Sequence, residues 1–282
     1  MSKIIFILIL LIIFTANSFS QYRYKTSDKD SSKYSEKNID VKIFRTFNNI
    51  HSSFINSMVN ITNESIIPVS IATPVGLYTF AKINNNNYDE SSAVLLALSE
   101  ITNLSVTQLL KVTVKRPRPF RTLNNVYLTD TSSVKGTYSF PSGHSSDAFV
   151  IATSLTLRYP DDPVLITGLY TYATIVSLGR IYWGVHYPSD VFTGMLIGAG
   201  SAALIYSLRA PIIKAKNDLF NQSERTDSYS PGVAPASLFI AIAAADVINH
   251  FFRNSNNTFL QNSNLIFDVN KDAGRMNYTV GF

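Results

Sequence analysis

The 282-residue chain contains no cysteine. That absence excludes disulfides, thiolate metal sites and a cysteine nucleophile, and it removes redox chemistry as a guide to compartment. A dense basic face is also missing. Lys and Arg outnumber Asp and Glu by 24 to 19 and the pI is about 9.2, yet the basic residues are dispersed except between positions 111 and 121. A nucleic-acid binder concentrates its charge, so nucleic acid is not an expected partner; a phosphate or an acidic lipid headgroup is. There is no internal repeat. The apolar share of 46% and the mean hydropathy of +0.10 are ordinary for a globular chain and do not by themselves indicate a membrane protein.

The N-terminus carries more information. Lys3 precedes an apolar run over residues 4–14, followed by small and polar residues to position 20. This is the layout of a secretory signal peptide, with an uncleaved anchor as the alternative, and either implies export. Residues 21–39 are Ser- and Lys-rich and read as a flexible leader. From Val41 a helical period begins, with Phe44, Phe47, His51, Phe54, Ile55 and Met58 on one face. Residues 65–83 are apolar but carry Pro68 and Pro74, a combination suited to membrane or tightly packed helices. A helix starting near Asp89 or Ser91 runs to about Val114 and carries Glu100, Asn103 and Gln108, which a lipid-facing helix would keep on its inner side. Further helices are expected over about 142–158, 163–179 and 190–208, each ~24–29 Å long at ~1.5 Å per residue. That length suits a thin span or a soluble bundle. Residues 237–252 read as one more helix, and the Asn-rich tail ends in a short strand or frayed end.

Chemistry-bearing residues gather at the helix ends. KVTVKRPRP (111–119) closes the third helix, PSGH (141–144) opens the fourth, and in RIYWGVHYPSD (180–190) Arg180 closes the fifth while Asp190 opens the sixth. In an up-and-down bundle these ends share one face. Each cluster alone has an ordinary explanation: dipole partners, a turn with an N-cap, an interfacial girdle. Their joint placement is better explained by an anion site. Arg118 and Arg180 can fork onto phosphate oxygens, and Lys111 adds a point charge. Ser142 and Gly143 offer backbone N–H groups at a helix start. His186, with Asp190 on its other ring nitrogen, is a candidate nucleophile, and His144 a candidate general acid.

The three clusters resemble the motifs of the type 2 phosphatidic acid phosphatase (PAP2) superfamily, which includes lipid phosphatases, bacterial acid phosphatases and vanadium haloperoxidases. Lys111, Arg118 and Pro119 match its Lys-x6-Arg-Pro motif, Pro141 to His144 its Pro-Ser-Gly-His, and Arg180, His186 and Asp190 its Ser-Arg-x5-His-x3-Asp. Gly179 stands where the family commonly has Ser. The resemblance covers roughly residues 40–210 and is closest to bacterial lipid phosphatases. It implies an all-α fold, a bundle of about six core helices, with residues 211–282 as a less regular extension. It also implies a phosphohistidine intermediate and no metal or other cofactor. The expectation is an exported phosphatase acting on a phosphate monoester or diphosphate, of a lipid such as phosphatidate, polyprenyl diphosphate or lipid A. Its site would face the periplasm from a bacterial-type cell membrane. The alternatives are a vanadate-dependent haloperoxidase, a soluble periplasmic acid phosphatase and an inactive lipid-binding protein.

Overall fold

The computed structural model describes residues 34–50, 52–128, 136, 138–222, 249, 261–270 and 273–280. The signal peptide, most of the leader, His51 and nearly all of the helix expected over 237–252 lie outside the described residues.

The single period expected from Val41 onward is divided. Helix α1 (Ile39–Asn48) stops at Asn49, and α2 (Ser53–Ile83) restarts where Ser52, in extended backbone, caps Ile55 N through its side chain. The apolar period in the sequence runs on across the break, which is why periodicity alone merges the two. Phe54, expected on that shared face, is however exposed, and α2 buries Val59, Thr62 and Ile66 instead. Pro68 and Pro74 sit inside α2 without ending it. Helix α3 (Asn87–Val114) begins a little before the expected start because the Asn86 side chain accepts from Tyr88 N and Asp89 N. A short α4 (Pro119–Thr122) follows, then α5 (Gly143–Arg158), α6 (Pro163–Tyr182) and α7 (Pro188–Ser207). Pro211 does not end the helical region: after a turn at Leu208 the chain enters α8 (Arg209–Phe220). Strands β1 (Ser263–Asn270) and β2 (Ala273–Val280) pair antiparallel, Ser263 opposite Val280, so the tail forms a hairpin where the sequence suggested at most one strand.

Helix α5 is the spine of the bundle. Val150, Ile151 and Leu155 pack with Ile66 of α2, Leu96 of α3, Val176 of α6 and Ala202 of α7. Its contact with α7 is backbone against backbone. A Cβ on Gly194 would lie 2.4 Å from Ser142 O, and one on Gly198 2.2 Å from Ser146 O. These glycines, four residues apart, let the two helices approach more closely than any other residue allows. Gly198→Ala is therefore expected to lower stability by about 1–3 kcal/mol, the usual cost of overpacking, read as a lower midpoint of unfolding in detergent.

Helices α2, α3, α6 and α7 are each long and apolar enough to cross a membrane. Their outward faces carry bare apolar side chains, among them Ile61, Ile67 and Phe80 on α2, Leu109 on α3 and Phe192 on α7. Faces of that extent are stable in lipid and not in water. The chain is a membrane protein. The polar groups of α3 divide as that setting requires in part only: Asn103 is buried and donates to Asp147 Oδ1 at 2.8 Å, while Gln108 is exposed.

Candidate active site

The end of α3, the starts of α5 and α7, and the end of α6 meet at one end of the bundle. Short backbone ties hold them together. Ser139 N donates to Arg116 O at 2.7 Å, Pro117 and Tyr138 form an isolated bridge, and Ser142 N donates to Asp190 O at 3.0 Å. After α6 the chain folds back on itself, Val185 N and His186 N both donating to Arg180 O at 3.2 and 3.3 Å. Gly184 makes this return possible. Its φ is +72°, and a Cβ there would meet Val126 Cγ1 at 2.5 Å and Tyr127 O at 2.6 Å.

His186 is 2% exposed. Its Nε2 lies 3.1 Å from the NH1 of Arg118. A guanidinium can only donate, so Nε2 accepts and the ring proton resides on Nδ1. That nitrogen is 3.6 Å from Asp190 Oδ2, longer than a hydrogen bond but facing the carboxylate. Three donors fix Asp190: Oδ2 accepts from Tyr187 N at 2.9 Å and from the Ser139 hydroxyl, and Oδ1 accepts from Arg116 NH1 at 2.7 Å. Arg118 is held by Gly136 O and Val185 O, each at 3.0 Å. Arg180 donates to Asn63 Oδ1 of α2, while its Nε is buried with no partner among the described residues. Lys111 Nζ donates to Pro141 O at 2.6 Å.

At the start of α5, Ser142 does not offer its own N–H to the site, because Asp190 O takes it. Its hydroxyl caps the helix by accepting from Ser145 N at 3.4 Å. The N–H groups of Gly143 and His144 have no acceptor among the described residues, and no atom lies within 4 Å of where a Gly143 Cβ would be. His144 lies in the field of Arg180, His186, Arg118 and Lys111. The eight residues singled out from the sequence therefore converge. Gly179 also has a steric explanation: a Cβ there would lie 2.8 Å from Val59 Cγ1, so α2 occupies the space a serine would need.

Sequence reading missed the residues that hold these groups. Arg116 bridges Asp190 and Asp40, Asn63 anchors Arg180, and the Ser139 hydroxyl bonds Asp190. Asn48, fully buried, donates to Tyr127 O and Tyr182 O and accepts from Tyr127 N, stapling α1 to the chain on either side of the site. Arg116 lay within a motif already noticed. The other residues gave no signal, since polar residues on helices are common.

Electrostatics follow from burial in a basic neighbourhood. Burial first, then Arg118, Arg180 and Lys111, hold the His186 pKa well below its ordinary 6.5, with the Ser139 backbone opposing. Burial lowers Arg118 to about 10 against the pull of Asp190, so it stays charged at neutral pH. Burial would also lower Arg116, but Asp190 and Asp40 outweigh it and raise the pKa. Among the described residues no three His, Asp or Glu side chains gather as a metal site would require.

Residues 92–214 match the family model described as the PAP2 superfamily. An undecaprenyl-diphosphatase of Sulfolobus acidocaldarius is 33% identical over 106 residues, which cover 38% of this chain and 50% of that protein, so the chain spans half the length of this relative. A lipid A 4'-phosphatase of Bacteroides thetaiotaomicron is 27% identical over 173 residues, 60% of this chain and 76% of that protein. The crystal structure of Aquifex aeolicus LpxE aligns with a TM-score of 0.49 at 27% identity, covering 60% of this chain and 96% of that one. The segment 92–214, which matches the PAP2 superfamily model, contains every residue from Lys111 to Asp190 placed at the site above.

Proposed function

We propose that the protein is an exported phosphatase that hydrolyses a lipid phosphate monoester or diphosphate through a phosphohistidine. The observation that carries this reading is the Nε2 of His186, its lone pair turned toward Arg118 with Lys111, Arg180 and His144 close by. In the first step Nε2 attacks phosphorus, and the P–O bond breaks with its electron pair leaving on the alkoxide or phosphate oxygen. His144 protonates that oxygen. In the second step water attacks the phosphohistidine, gives its proton to His144, and the N–P electron pair returns to Nε2. Lys111, Arg118, Arg180 and the Gly143 and His144 N–H groups stabilise charge on the phosphoryl oxygens in both steps. The names of the diphosphatase and lipid A phosphatase relatives support a lipid substrate. Export is supported by the signal-peptide layout of residues 1–20.

The reading is tested by phosphate release from a chromogenic phosphate ester and from lipid phosphates in detergent micelles. Turnover is expected to survive EDTA unchanged and to be inhibited by vanadate, which the same groups would bind. Loss of activity on chelation would remove the metal-independent mechanism. Bromide oxidation with peroxide and vanadate, without ester hydrolysis, would move the assignment to a haloperoxidase.

A further inference from the structure

Asp40 belongs to α1, outside residues 92–214, yet it is bonded into the site. Its Oδ2 accepts from Arg116 NH2 and from Ser189 Oγ, both at 2.6 Å, and its Oδ1 accepts from Ser189 N at 2.9 Å. Arg116 NH1 reaches the other way, donating at 2.7 Å to Asp190 Oδ1 and to Ser189 Oγ. The guanidinium lies 3.9 Å over the Tyr187 ring, and that ring packs against Tyr34 and Phe44. A planar cation is thus clamped between two carboxylates and against an aromatic face. This geometry suits arginine and not lysine.

Attachment of α1 does not need this network. Val41 and Phe44 are buried in the core, and Arg45 donates to Asn124 O and Asn125 O at 2.8 and 3.1 Å. What the network does fix is Asp190. Tyr187 N and the Ser139 hydroxyl hold Oδ2, and Arg116 holds Oδ1; together they keep the carboxylate from rotating, with Oδ2 facing His186 Nδ1. Asp40 keeps Arg116 from swinging away. We propose that Asp40 and Arg116 are positioning residues that set the orientation and tautomer of His186 through Asp190. The catalytic unit then begins at α1 rather than at residue 92. This inference rests on the reading of His186 as nucleophile.

The test compares full-length variants in detergent on a chromogenic phosphate ester. Asp40→Asn and Arg116→Gln are expected to lower kcat about 10- to 100-fold, as supporting partners of ligating or catalytic groups do, with KM changed less than about twofold. The double variant should be no slower than Arg116→Gln alone, because both act on one network. Arg45→Ala, which loosens α1 without touching the network, should stay within about twofold of the parent. Should Asp40→Asn fail to fold, Arg116→Lys carries the same expectation, since lysine keeps the charge but cannot bridge both carboxylates. An inactive His186→Ala beside an unimpaired Asp40→Asn overturns this proposal alone. An equal loss in Arg45→Ala also overturns it, because docking of α1 would then be the whole effect. Turnover in His186→Ala overturns the nucleophile assignment and this proposal with it.

Discussion

His186→Ala is expected to lower phosphate release by about four orders of magnitude or more, the scale on which loss of an attacking group or its partner is felt when these act as a unit. The variant should still fold. His186 has no close contact that an alanine would leave in conflict, and its nearest polar neighbours, Arg118 and Asp190, keep the carbonyl, hydroxyl and guanidinium partners described above. Substrate binding should survive in part, because Lys111, Arg118 and Arg180 remain, so kcat rather than KM should carry the loss. The parent enzyme provides a companion measurement. Burial and the flanking Arg118, Arg180 and Lys111 depress the His186 pKa well below 6.5. The neutral ring, which owns the Nε2 lone pair, therefore persists as pH falls. The acid limb of kcat/KM, which reports the free enzyme, should lie below pH 6.5 and vanish with His186. Full activity in a folded His186→Ala would remove the phosphohistidine.

His144→Ala should show a different signature. A general acid matters in proportion to the difficulty of expelling the leaving oxygen, so hydrolysis of an alkyl or lipid phosphate is expected to fall about 10²–10⁴-fold. A nitrophenyl phosphate, whose leaving group departs without a proton, should lose much less. The ratio between the two substrates is the measurement. A bound phosphate adds negative charge beside His144, which favours its protonated form in the complex. Equal losses on both substrates would mean that His144 binds phosphate rather than protonates the leaving group.

Why these residues were legible from sequence has a physical explanation. The site is made of charged and titratable side chains at helix ends, and helix ends are marked locally: Pro119 after Arg118, Ser142 as N-cap of α5, Pro188 at the start of α7. Alternating chain direction then brings those ends together. The supporting residues are another matter. Asp40 meets Ser189 across 149 positions and Asn63 meets Arg180 across 117, and neither sits in a local pattern. Such pairs exist only once the bundle has packed. The break between α1 and α2 escaped for a simpler reason, since Asn49 and Ser52 interrupt the backbone while the apolar period in the sequence runs on. Helix α8 escaped because Pro211 is acceptable within the first turn of a new helix as readily as after the last turn of an old one.

The glycine seam between α5 and α7 bears on how the proposed lipid substrate would reach the site. With Gly194 and Gly198 laid against the carbonyls of Ser142 and Ser146, no gap wide enough for an acyl or isoprenoid chain exists at the site end of that interface. The two helices carry His144 and Asp190 on one rigid body, and parting them to admit a tail would pull the site apart. The proposed lipid substrate would therefore pass around this pair, its headgroup arriving and the dephosphorylated product departing along a seam bordered by other helices.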